Sequence, residues 1–203
     1  ELQRLVDHAE IDRDVFGFMR DKNASAIIFR ELESIISKGI ESRSTPEADH
    51  EERAQNSLFA HEADALETIK SHVKAHRFGE SLSNLELHDK QSNRYFETDL
   101  LIVSRFRIYV VELKHWSGRI EIRPNSWLQN GSFFKDDPHK SNNFKAKLLR
   151  GVYDRKFPSF PQVYFESVVV LTNPDVEAIG CAIPSTTANN PTFESIERFL
   201  QYL

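Results

Sequence analysis

The sequence predicts an α/β (α+β) fold, in which a mixed central β-sheet is flanked by helices and preceded by an N-terminal helical extension. Short apolar segments with the alternation or β-branched density of strands occur at residues 82–87, 95–103, 107–114 and 164–172. Apolar residues at helical spacing occur at 57–76, 139–155 and 192–203. The resulting order of helix, three or four strands, helix, strand and helix is typical of a mixed sheet with helices against its faces.

Residues 1–56 differ from the rest of the chain and are predicted as a helical extension followed by a polar linker. Residues 1 to about 40 contain an apolar stripe formed by Ile28, Leu32, Ile35 and Ile36, and Gly39 is a suitable helix stop. Residues 41–53 are polar, contain proline and lack an apolar period. Because the sequence lacks an initial Met and ends within a helical pattern, we expect a fragment of a longer protein, with residues 57–203 as its second domain.

The first helix of that domain should face the sheet through Phe59, Leu66, Ile69 and Val73. The segments 95–103 and 107–114 should form a hairpin through residues 104–106, although that turn lacks Gly, Pro and Asn. Ile120 and Ile122 are expected to extend the same sheet. Phe144 and Leu148, at i and i+4, are expected to supply the core side of the helix at 139–155.

Composition, charge and motif content exclude several classes of protein. The net charge of −5 argues against general coating of nucleic acid, but it leaves a local basic track open. The apolar stretches are too short for a membrane helix, and a single cysteine, Cys181, suits a reducing cytoplasm. The sequence contains no nucleotide-binding glycine motif and no serine-hydrolase elbow. A zinc site is not predicted, because the candidate ligands do not have the spacing of zinc ligands; they are His61, His115, His139 and Cys181.

Two neighbouring predicted strands each contain an apolar segment next to charged residues. Side chains alternate faces along a strand, so Glu112 and Lys114 should share one face, and Glu97 and Asp99 should share a face of the preceding strand. Carboxylates on adjacent strands can hold a divalent cation, and a lysine beside them can orient water or bind phosphate. The alternative is an ordinary salt bridge at the end of a strand.

Glu62 lies four residues before Leu66, close to the apolar stripe of its helix. Carboxylates are seldom buried unless they are paired or bound to metal, so Glu62 is predicted to point toward the same site. Alternatively, it lies at the edge of the stripe and reaches solvent. Clustering of Glu62, Glu97, Asp99 and Glu112 predicts mutual repulsion, which should raise the pKa values of some of these carboxylates.

The strings HEADALETIK and ETDLLIVSRFRIYVVELKHWSGRI resemble the NERD (nuclease-related) domain, of the PD-(D/E)XK nuclease-like superfamily with its restriction-endonuclease-like core. The resemblance covers about residues 57–172. It implies that Asp99 and Glu112, with Glu62 from the helix, are metal ligands for Mg²⁺ or Mn²⁺ and that Lys114 is the catalytic lysine. Trp116 and Gly118 match the aromatic and tight-turn positions after the lysine, with a structural role favoured for Trp116.

The sequence departs from the family pattern in two places. Glu97 stands where members often have Gln, and the segment at 136–144 blurs an Asn-Pro and Gln pattern. The helix that follows is rich in positive charge, which could bind phosphates or could form a solvated helix face. Its predicted nucleic-acid-binding residues are Lys140, Lys145, Lys147 and Arg150.

The leading functional hypothesis is therefore a metal-dependent nuclease domain that hydrolyses phosphodiester bonds in DNA, with RNA left open. The alternatives are a non-catalytic nucleic-acid-binding module and a regulatory or interaction module of a larger effector. Other domains of the same protein and a second copy of the chain are further candidate partners.

Overall fold

A computed structural model describes residues 30, 52–89, 92–104, 107–123, 126–133, 138–159, 162–180 and 190–203, with only the backbone for 52–59, 88 and 133. The stripe predicted at residues 28–36, the side chain of Phe59 and Cys181 lie outside the described parts. The elements, in chain order, are α1 (Glu52–Ala75), β1 (Gly79–Asp89), β2 (Arg94–Ser104), β3 (Arg107–Lys114), β4 (Gly118–Arg123), β5 (Ser126–Gln129), β6 (Ser132–Phe133), α2 (Pro138–Lys156), β7 (Tyr164–Leu171), β8 (Val176–Ile179), β9 (Thr192–Phe193) and α3 (Ile196–Tyr202).

The main sheet has five strands in the order β1-β2-β3-β7-β9. Strands β1, β2 and β3 are antiparallel neighbours, whereas β7 runs parallel to both β3 and β9. The predicted mixed α+β fold is confirmed. The predicted hairpin is also present, and its turn is supported by the hydroxyl of Ser104, which accepts from the Arg107 amide at 3.1 Å and donates to the Arg107 carbonyl at 2.8 Å.

Helices cover both faces of the main sheet, as the alternation in β3 predicts. Ile108 and Val110 pack in one core cluster with the α2 residues Ala146, Leu149 and Tyr153. The intervening β3 side chains face a second cluster, which contains residues of α1 and α3: Leu66, Ile69, Val73, Tyr109, Val111, Leu113 and Phe199. Glu112 and Lys114 therefore lie in register with the α2 face.

The expectation that Ile120 and Ile122 extend the main sheet is wrong. Strand β4 belongs to a second sheet of order β6-β5-β4-β8, and Ile120 packs on Val169 and Leu171 of β7. The chain turns away after β3 at Gly118, whose φ of 78° is rarely adopted by other residues. A Cβ at this position would lie 2.8 Å from the side-chain oxygen of Asn130, which accepts from the Arg119 amide.

Three helix predictions differ in part from the structure. The first helix begins at Glu52, so the end of the predicted linker runs into the helix that is expected from about residue 57. The core side of α2 is formed by Asn142, Ala146, Leu149 and Tyr153, not by Phe144, which is 40% exposed. The C-terminal helix begins only at Ile196, because residues 192–193 pair with β7 and Ser195 caps the helix by accepting from the Arg198 amide.

A buried ionic network fixes α3 to the main sheet. The Glu166 carboxylate is 1% exposed and accepts from Arg107 at 2.8 Å and from the Tyr202 hydroxyl at 2.5 Å. Because both carboxylate oxygens have partners, the charge is accommodated at low exposure. The helices in the described parts of the chain include none that is long and apolar enough to cross a membrane.

Candidate active site

The candidate site forms where β2 and β3 separate. Their paired register runs from Val103–Ile108 to Leu100–Val111, whereas β2 continues beside β1 as far as Arg94. Two residues beyond the last pair, the amide of Leu113 donates to Asp99 Oδ2 at 2.6 Å. The Asp99 side chain thus takes a backbone donor at the point where the ladder stops, which fixes its carboxylate beside β3.

Glu112 is held between two lysine ammonium groups. Its carboxylate is buried, and it accepts from Lys114 through Oε1 at 2.6 Å and from Lys145 through Oε2 at 2.5 Å. Lys114 comes from the same strand, whereas Lys145 comes from α2 and is only 5% exposed. A lysine this deeply buried is rare unless it is paired, so its charge and that of Glu112 compensate each other.

Asn142 determines how α2 sits on the sheet. Its side-chain amide is fully buried and donates to the carbonyl oxygens of Val110 in β3 and Val168 in β7, at 2.8 and 3.0 Å. Lys145 follows three residues later and so lies on nearly the same side of the helix. The helix is thereby fixed across two parallel strands with its lysine directed at Glu112.

The two strand carboxylates have opposite electrostatic behaviour. Burial, followed by repulsion from Glu112, raises the pKa of Asp99 to about 6, in spite of the Leu113 amide and the charge of Lys114. Burial alone would raise the pKa of Glu112, but the ammonium groups of Lys114 and Lys145 outweigh it and lower that pKa. The expectation that some carboxylate pKa values are raised is therefore confirmed at Asp99, whereas the pKa of Glu112 is lowered.

Glu62 lies half-buried on α1 and responds to the same charges. Burial raises the pKa of its carboxyl; Lys114 acts to lower it, while Glu112 and Glu97 act to raise it. Glu62 in turn contributes to the raised pKa of Asp99. Glu97 is exposed and lies opposite Glu86 in the register of β2 with β1. The structure thus brings Glu62, Asp99, Glu112 and Lys114 into one electrostatic cluster.

The family assignment follows from a comparison of the whole sequence. The model of the nuclease-related domain (NERD) matches residues 57–172, which is more than half of the chain. The chain belongs to the NERD family. No curated protein matches it. The match spans α1 to the end of β7 and therefore includes the four residues of the cluster and the pair Asn142 and Lys145.

Asp99 and Glu112 are the carboxylates of this NERD domain that could hold a divalent cation. Within the described ranges, no three His, Cys, Asp or Glu side chains are grouped closely enough to hold a metal ion by themselves. Mg²⁺, however, commonly takes one or two carboxylates and completes its shell with water and substrate phosphates. Asp99 and Glu112 could supply hard oxygen ligands of that number if a cation displaced a lysine ammonium group from Glu112, and the cation would relieve the repulsion between the two carboxylates. Glu62 as a third ligand stays a prediction.

The four basic residues of α2 that were predicted to bind nucleic acid differ in exposure in this NERD domain. Lys140, Lys147 and Arg150 are exposed, and Arg150 lies 3.7 Å from Asp154. Lys145 faces inward, so the prediction that grouped it with the exposed phosphate-binding residues is corrected. Lys145 lies three residues after Asn142 and four before Leu149, and this helical spacing could have placed it on the buried side of α2. Sequence reasoning missed it because a lysine on an apolar stripe is normally taken as the end of that stripe.

Two contacts between aromatic rings lie beside the cluster. Trp116 packs edge-on against Trp127, with ring centroids 5.8 Å apart, and contacts the cluster that joins the two sheets. The rings of His61 and His115 are stacked at 4.4 Å with their planes 5° apart, which links α1 to the segment after β3. This stacked pair has no recognisable spacing in the sequence, because its members are 54 positions apart.

Proposed function

We propose that this NERD domain is a Mg²⁺- or Mn²⁺-dependent nuclease that hydrolyses phosphodiester bonds in DNA. The observation that supports it best is the arrangement around Glu112: a buried carboxylate bonded to two lysines, beside Asp99, at the separation of β2 and β3. A surface salt bridge would not need a second, buried lysine from another element. Perturbed carboxylates with specific charged partners are typical of functional sites.

Each residue has a distinct part in the proposed reaction. Asp99 and Glu112 would hold the cation, which when bound activates water and offsets charge on the phosphate. The Leu113 amide fixes one Asp99 oxygen and leaves the other for binding. Lys145 holds one oxygen of Glu112 in place. Lys114, which bonds the other oxygen in this structure, would contact the attacking water or the phosphate once a cation takes its place at that oxygen. Glu62 adds negative charge that favours the cation.

Cleavage of supercoiled plasmid tests this proposal. We expect nicking or linearisation with Mg²⁺ or Mn²⁺, none with EDTA, and a loss of at least about a hundredfold in Lys114→Ala, the effect typical of removing one group that stabilises transition-state charge. The control is Lys74→Ala, since Lys74 is exposed near the end of α1. Cleavage that persists in EDTA, or that Lys114→Ala leaves unchanged, would refute the proposed mechanism.

The exposed basic residues of α2 are proposed to bind the DNA backbone. Replacing Lys140, Lys147 and Arg150 with Ala should weaken DNA binding and reduce the slope of log affinity against log salt by about one unit for each phosphate that the variant no longer binds. Binding measured between low and moderate salt, with Lys74→Ala as the control, gives the slope. An unchanged slope in the triple variant would mean that these charges are only solvated.

A second candidate function is a nucleic-acid-binding module without catalysis. It is favoured by one observation: both oxygens of Glu112 accept hydrogen bonds from lysine ammonium groups. If those bonds persist in solution with Mg²⁺ present, Glu112 cannot serve as a metal ligand. Binding of DNA without cleavage in the plasmid experiment would support this second function.

A further inference from the structure

An aromatic side chain is exposed on α2 beside the candidate site. Phe144 is 40% exposed, and its ring centroid lies 4.9 Å from that of Phe96 in β2, with the planes tilted by 57°. Phe96 is half-buried against the core cluster beneath α2. The Phe144 ring is thus supported from below by a second ring, while part of its surface faces solvent. We call these two residues the aromatic pair.

Positive charges flank this pair. Lys140 lies four residues before Phe144 and Lys147 three residues after it, so all three occupy one side of α2, and both lysines are exposed. The side chain next to Phe144 in sequence is Lys145, which bonds Glu112. Phe96 precedes Asp99 by three strand positions, or about 10 Å at 3.3 Å per residue. That length is close to three stacked bases of nucleic acid at about 3.4 Å each.

We propose that the aromatic pair stacks on an unpaired base of the substrate, so that the domain acts on single-stranded DNA. This inference rests on the proposed function, because it assumes that the site binds nucleic acid. Aromatic side chains between cations are the usual arrangement for single strands, since phosphates bind the charges and every base has a π-face. A base inside a duplex has both faces covered by its neighbours and cannot stack on Phe144.

The positive charges beside Phe144 favour a single strand of DNA over an apolar protein partner. A partner helix or strand would cover Phe144 with hydrocarbon and would leave Lys140 and Lys147 beside an apolar surface. A polyanion satisfies the ring and both lysines together. A second exposed aromatic residue, Tyr164, lies at the opposite end of the main sheet, beneath Arg107 and seven strand positions from the level of Lys114.

Equilibrium binding of fluorescent oligonucleotides in EDTA tests the inference without cleavage. The probes are a 20-nucleotide single strand and its blunt duplex, and the variants are Phe144→Leu, which keeps apolar packing on Phe96, and Phe144→Tyr, which keeps the ring. Tyr164→Leu is the matched control. We expect wild type to prefer the single strand and Phe144→Leu to weaken that binding by roughly 5- to 150-fold, as for loss of one stacked base. Phe144→Tyr and Tyr164→Leu should bind like wild type.

The outcomes separate this inference from the proposed function. Equal affinity of wild type for both probes, no binding of the single strand, or an equal loss for both probes in Phe144→Leu would overturn the aromatic pair as a stacking site. Plasmid cleavage could still occur in each of those cases, and the proposed function would stand. Conversely, loss of single-strand binding in Phe144→Leu, together with no metal-dependent cleavage of either the single strand or the plasmid by wild type, would support the aromatic pair and refute the nuclease. Thermal melts of each variant establish that it is folded.

Discussion

Replacing Asp99 with Asn should stabilise the protein in the absence of metal, by up to about 3 kcal/mol at pH 8 and by little at pH 4. The pKa of Asp99 is raised to about 6 in the folded state, from an ordinary value of 3.8. Between those values the folded protein retains a proton that the unfolded chain releases. Wild type is therefore destabilised as pH rises from about 4 through 6, and the full penalty is present above 6. Asn carries no such charge, yet its oxygen can still accept from Leu113.

Urea denaturation at the two pH values measures this effect. The matched control is Asp64→Asn, since Asp64 is exposed on α1 and its replacement should change stability by less than about 0.5 kcal/mol at either pH. A difference between wild type and Asp99→Asn that is the same at pH 4 and pH 8 would contradict the buried, repelled carboxylate.

The same variant also reports on the cation. Millimolar Mg²⁺ or Mn²⁺ should raise the melting temperature of wild type at pH 8, because a ligand that binds only the folded state stabilises it by mass action. Asp99→Asn should respond less, since one proposed ligand is missing. If wild type and Asp99→Asn shift equally, these carboxylates do not form the cation site, and the binding module becomes the better function.

Strands β1, β2, β3 and β7 of the main sheet and the four-residue cluster could be predicted from the sequence, because these strands and the faces of their residues depend on local periodicity. Alternation along β3 places Glu112 and Lys114 on one face, and the apolar stripe of α1 places Glu62 near the sheet. Family resemblance then selected Asp99 and Glu112 among many acidic residues. The match over residues 57–172 confirms that resemblance.

The features that sequence reasoning missed depend on contacts between distant segments. The second sheet requires the turn at Gly118 to be fixed by Asn130, which lies twelve positions away. The inward side of α2 includes two polar residues, because Asn142 donates to carbonyl oxygens of β3 and β7 and Lys145 bonds Glu112. On periodicity alone, Phe144 looks like a core residue and Lys145 like a surface residue. The structure reverses both assignments.

That reversal has a measurable consequence at Lys145. Replacing it with Met, which has similar length and no charge, should destabilise the protein by about 3 kcal/mol at pH 8, the lower end of the range for breaking a buried ion pair. The lower end applies because Glu112 keeps Lys114 as a partner. Lys147→Met is the matched control: Lys147 is exposed on the same helix, two residues away, and its replacement should cost less than about 0.5 kcal/mol.

A double-mutant cycle with Glu112→Gln assigns the loss to the pair. The lowered pKa of Glu112 means that its ionised form stabilises the fold above the unfolded pKa and that this contribution disappears as pH falls through the folded value. Glu112→Gln should therefore destabilise the protein at pH 8, opposite in sign to Asp99→Asn. If Lys145 acts through Glu112, the double variant should lose less than the sum of the two single losses, by a coupling of roughly 1–3 kcal/mol. Additive losses, or a Lys145→Met as stable as Lys147→Met, would mean that the ammonium of Lys145 is solvated and does not hold the carboxylate.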